Sequence, residues 1–98
     1  MKQRRLIILG QTWTVIYVES LTEGSEAPVY GSTDIDRRII KIATAVNNTP
    51  ALLQSTLLHE VIHAVLGIAG VSAMLTERTE EAIVLALESG LSPLVRLK

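Results

Sequence analysis

The chain has only two histidines, and they stand four residues apart with a glutamate directly after the first: His59-Glu60-Val61-Ile62-His63. Residues i and i+4 lie one above the other on a helix face, so both imidazoles can reach one ion at about 2.0–2.1 Å. Glu60 falls about 100° round the helix from His59. That places it beside such an ion, free to hydrogen-bond a metal-bound water instead of ligating. Zinc brings the pKa of a bound water to about 7, and a carboxylate in that place can take its proton as it attacks a polarised carbonyl. The chemistry this spacing points to is metal-assisted amide hydrolysis, with Zn2+ as cofactor, Glu60 as general base and a peptide or protein as substrate. Scattered at random, the two His and eight Glu of the chain would give this pattern on the order of 0.2% of the time. The plainer alternative is a pair of ordinary helical histidines.

Two His leave a catalytic zinc short of its usual three protein ligands. No third His exists, and Ala64 to Ala69 departs from the longer HExxHxxGxxH pattern. A carboxylate is the remaining choice, and the segment downstream offers Glu77, Glu80, Glu81 and Glu88. On a helical wheel the apolar stripe Ile83, Val84, Leu87, Leu91 and Leu94 is centred within about 10–20° of Glu80. Glu77 lies about 70° from it, Glu88 about 90° and Glu81 about 110°. A carboxylate in the middle of an apolar stripe is costly unless it is paired or bound to a metal. Glu80 is therefore the preferred third ligand, with Glu81 second and Glu77 third. The competing reading makes Glu80 part of a solvated first turn favoured by the helix dipole.

These residues need a helix each and a scaffold beneath. Asn48 or Thr49 followed by Pro50 signals a helix start, and Leu53, Leu57, Val61 and Ala64 carry the apolar spacing onward, with Gly67 and Gly70 as stops. Thr76 can cap a second helix that runs to about Ser89 and ends at Gly90. Upstream, Arg5–Leu9, Thr12–Glu19, Val29–Ser32 and Asp36–Ala43 read as strands, rich in β-branched residues and alternating in places. Gly10-Gln11 reads as a hairpin turn, Ser20–Pro28 as a polar loop. The expectation is one α+β domain over residues 1–98, with an antiparallel sheet of three or four strands followed by two helices. The strand Asp36–Ala43 is expected at the sheet edge beside the first helix, where it could take up an extended peptide or be blunted by Arg37, Arg38 and Lys41. Tyr17 and Tyr30 are candidate oxyanion donors, although each reads more simply as a packed strand aromatic. Trp13 is expected in the core or at an oligomer contact.

The stretch TLLHEVIHAVLG, followed by TERTEEAIVLALESGL, resembles the small gluzincin metallopeptidases (minigluzincins). It is also similar to short HExxH proteins of phages and prophages. The resemblance covers Val29 to Leu91; the first 25 residues match only in being strand-like. It implies a minimal zincin-like fold, in which a sheet precedes an active-site helix and a glutamate helix follows. By the same resemblance His59 and His63 are zinc ligands, Glu60 the general base, and a Glu within Thr79-Glu80-Glu81 the third ligand. Some such proteins are latent because a C-terminal segment covers the site, a role open here to Ser92–Lys98.

Composition narrows the remaining choices. The 98 residues are 48% hydrophobic, 19% charged and 3% aromatic, a globular balance whose core must be aliphatic. A net charge of −1 argues against a general nucleic-acid partner. With no Cys, disulfides and Cys-ligated zinc are excluded. The basic opening MKQRR meets only LIIL, too short for a secretory core, and the uncharged stretch Val61–Leu75 is shorter than the roughly 20 residues of a spanning helix. No membrane partner is expected, and a cytoplasmic location is. The apolar fraction leaves room for a homodimer. The rival to a peptidase is a non-catalytic, zinc-stabilised interaction or regulatory protein of phage or prophage type. Glu60 argues for the enzyme, because a purely structural site has no use for a non-ligating carboxylate.

Overall fold

The computed structural model describes residues 2–22 and 29–95. Most of the polar loop expected at 20–28 and the end of the C-terminal segment lie outside the described residues. The order is β1 (Lys2–Ile8), β2 (Gln11–Val18), β3 (Gly31–Asp34), β4 (Ile39–Ala43), α1 (Pro50–Ile68), a 3₁₀ turn at Ser72–Met74, and α2 (Glu77–Leu91). This is the expected α+β architecture, with one correction to the sheet. The strands lie in the order β1-β2-β4-β3, and β2 pairs with β4 in parallel. The sheet is mixed, not antiparallel throughout. The chain between β2 and β3 carries β3 past the neighbouring position, and β4 then folds back into the gap.

Side chains explain why the strands stack in this way. Leu9 and Gly10 both have positive φ, 46° and 78°, the left-handed pair that joins twisted antiparallel strands in a tight turn. Directly paired residues share a sheet face, so the pairs Val15↔Ile40 and Tyr17↔Ile42 place Val15, Tyr17, Ile40 and Ile42 together. The same face holds Trp13, and α1 closes it with Leu57 and Ala64 to form the main core. Trp13, Val15, Ile40 and Ile42 are all 0% exposed, which settles Trp13 as core.

Helix α1 begins as its sequence dictates. Thr49 accepts a hydrogen bond from Leu52 N–H, and Pro50 occupies the first turn. It runs through Gly67, expected as a stop, because that glycine lies against the side chain of Ile35 and a Cβ there would collide with it. Gly70, at φ +79°, follows the end. Among the described residues α1 alone is long and apolar enough to cross a membrane, by length and composition; here it packs on the sheet with one face and on α2 with another. Thr76 caps α2 by accepting from Thr79 N–H. The second apolar cluster is small: Leu58 and Ile62 of α1 against Val84 of α2, with Leu66 and Val95 at its margin.

Candidate metal centre

Antiparallel packing of α1 and α2 brings two turns of each helix face to face, and the polar residues of those turns meet. The Nε2 atoms of His59 and His63 both point at Glu81. Glu81 Oε1 lies 2.9 Å from His59 Nε2, and Glu81 Oε2 lies 3.1 Å from His63 Nε2. One ligand atom from each of these residues falls within 4.8 Å of the others, so His59, His63 and Glu81 form a group that could hold a metal ion. The two rings are 5.0 Å apart at 60°, converging instead of stacking flat.

The other nitrogen of each ring also meets a carboxylate. His59 Nδ1 is 3.0 Å from Glu88 Oε1, and His63 Nδ1 is 2.6 Å from Glu80 Oε2. Both nitrogens of an imidazolium can donate to these carboxylates, whereas a neutral imidazole has a single N–H and in that form turns one lone pair to a carboxylate oxygen. With Nδ1–H donated to Glu88 and Glu80, both lone pairs face Glu81. In that neutral form a cation held by His59, His63 and Glu81 would relieve that contact, and the carboxylates on the remote nitrogens would fix the tautomer that ligation requires. The donor set is two imidazoles and one carboxylate, ligand types that metal ions take.

Glu81 thus enters the candidate group, while Glu80, preferred from the helical wheel, supports His63 instead. The reason lies in how the stripe was centred. Of its five residues only Val84 is buried; Leu87, Leu91 and Leu94 are 42%, 38% and 79% exposed. The direction of α2 that meets α1 runs through Val84, with Glu80 about 40° to one side and Glu81 about 60° to the other. Both reach the histidines from opposite flanks. Glu77 lines the cleft but is exposed. Burial pushes the Glu80 carboxyl up, yet hydrogen bonds with Ser72 and His63 outweigh it and hold Glu80 below the ordinary carboxylate value.

Glu60 stands apart from the candidate ligands. It is 6% exposed and points toward the sheet, where its Oε1 accepts from the Thr33 hydroxyl at 2.7 Å. Burial raises its carboxyl above the ordinary range; the Thr33 hydrogen bond and the nearby histidines pull the other way without cancelling the effect. The strand that meets it is β3, not Asp36–Ala43 as expected: β4 is interior, and β3 is the edge strand beside α1. Asn47, 1% exposed, secures that edge. Its Nδ2 donates to the Tyr30 and Ala43 carbonyls at 3.0 and 2.7 Å, and its Oδ1 accepts from the Thr56 hydroxyl at 2.6 Å.

A cleft of about 910 Å³ runs between β3 and α2 with His59, Glu60 and His63 on its floor. Tyr30 lines it and is 54% exposed, whereas Tyr17 packs against the core. The sequence offered Glu88 as a candidate ligand but not as the partner of His59 Nδ1, and it missed the roles of Thr33 and Asn47. Glu88 stands seven residues after Glu81, two helical turns on, and that spacing was a readable signal. Thr33 and Asn47 carried none, because their roles depend on a strand order that the sequence does not state. No family model matches the chain, and no curated protein or solved structure does so either.

Proposed function

We propose that the protein is a zincin-like metallopeptidase in which His59, His63 and Glu81 hold Zn2+ and Glu60 serves as general base. The observation that carries the reading is the pair of imidazoles with carboxylates at both nitrogens, their Nε2 atoms converging on one carboxylate. Zinc bound there would supply Lewis acidity, polarising a peptide carbonyl and acidifying water. Glu88 and Glu80 hold the rings in register. Glu60 lies on the same turn as His59 but outside the ligand group, in a buried setting that raises its proton affinity toward the range a base needs. Among the described residues the outer edge of β3 pairs with no strand, and β3 lines the cleft, where it can hold an extended peptide by strand addition.

Zinc-loaded wild type should hydrolyse a peptide, and Glu60→Gln should retain zinc and fold while losing hydrolysis. A Glu60→Gln variant as active as wild type would remove the base from the mechanism. A second reading keeps the metal but not the reaction: zinc serves to fasten α2 in an interaction or regulatory protein. What favours it is that Val84 is the only buried residue of α2, so the helix has little apolar attachment of its own. The same variant separates the two, because a purely structural site has no activity for it to abolish.

A further inference from the structure

Glu60 is gripped from the sheet by two residues of one strand. Alternation along β3 turns Gly31 and Thr33 toward α1, in register with the buried Ile42 and Ile40. A Cβ at Gly31 would lie 3.0 Å from Glu60 Cγ and 3.1 Å from Thr56 Cγ2, so the bare backbone lets the strand close on the glutamate stem. Two residues along, the Thr33 hydroxyl lies 2.7 Å from Glu60 Oε1 and 3.1 Å from the Glu60 carbonyl oxygen. A hydroxyl has one proton to donate, and the carboxylate oxygen is both nearer and the stronger acceptor.

We propose that Thr33 is the positioning residue for Glu60, holding Oε1 against β3 so that Oε2 is the oxygen presented to the cleft. The inference rests on the reading of Glu60 as base. A glutamate side chain has three torsions to fix, and packing on Gly31 settles the stem while the Thr33 hydrogen bond settles the carboxylate plane. The strand that lines the cleft is thereby the strand that aims the base. Peptide alignment and proton transfer share one rigid element, held to α1 by Asn47 and Thr56.

The test compares zinc-loaded Thr33→Val, which keeps the shape and loses the hydroxyl, with Thr33→Ser, which keeps the hydroxyl. Zinc content, kcat and KM on a peptide, and crystal structures of both variants are measured beside wild type. In Thr33→Val, kcat should fall about 10–100-fold, the range seen when an orienting partner is removed, with KM and zinc content unchanged. Thr33→Ser should restore most of kcat. In the crystal the Glu60 carboxylate should leave β3 in Thr33→Val and stay in Thr33→Ser. A Thr33→Val protein with wild-type kcat and an unmoved Glu60, or a Thr33→Ser protein as impaired as Thr33→Val, would overturn the proposal. The outcome for Glu60 itself is separable: if Glu60→Gln is as active as wild type, or wild type turns over no peptide, the base reading falls. The crystal comparison still decides whether Thr33 holds the carboxylate.

Discussion

Helix α1 has two packed faces, and they are built on opposite principles. Toward the sheet it closes an aliphatic core with Trp13, Val15, Ile40, Ile42, Leu57 and Ala64, with hydrogen bonds of Glu60 and Thr56 added at the β3 end. Toward α2 it offers Leu58 and Ile62 to a single buried partner, Val84; the rest of that contact is His59 and His63 against Glu80, Glu81 and Glu88. Burying polar groups in this way costs stability unless every one is satisfied. The first face folds the domain, and the second accepts a poorer interface so that four carboxylate contacts can set two imidazoles. A metal ion would contribute most where apolar packing contributes least.

The largest effect should come from the sheet side. Trp13→Ala removes a fully buried indole and should cost about 3–5 kcal/mol, read as a lower denaturation midpoint with or without zinc. Removing zinc with a chelator should instead act locally. Amide exchange should speed up across α2 while β2 and β4 keep their protection, and uniform loss along the chain would erase the distinction between the two faces. Glu88→Ala and Glu80→Ala each strip one imidazole of its orienting carboxylate and should weaken zinc binding about 10–100-fold, measured by competition with a chromogenic chelator. The smallest pair sharpens the contrast. Thr49→Ala and Thr76→Ala each delete a helix cap worth about 1 kcal/mol, but only Thr49→Ala should lower global stability by that amount. Thr76→Ala should show mainly as faster exchange in α2.

Much of this was legible in the chain. His59 and His63 stand at a spacing that any α-helix converts into one face, and Thr49, Pro50 and Thr76 mark their helices by local sequence alone. Trp13, expected in the core or at an oligomer contact, lies fully buried in the core. The failures share a cause, since each depends on which elements become neighbours. The parallel pairing of β2 with β4, and hence β3 as the edge beside α1, follows from a long connection that skips a position. The choice between Glu80 and Glu81 turned on a stripe assumed to be buried along its length, whereas α2 buries only Val84 and leaves Leu87, Leu91 and Leu94 exposed. Thr33 falls between the strands expected at 29–32 and 36–43, and only its place in β3 sets it on Glu60.

The most direct test is zinc content after dialysis of wild type, Glu81→Ala and Glu80→Ala. One zinc per chain in wild type, lost in Glu81→Ala and retained with weaker affinity in Glu80→Ala, is the predicted result. A wild-type protein that holds no metal after zinc is added, or a site that survives Glu81→Ala and fails in Glu80→Ala, would contradict it.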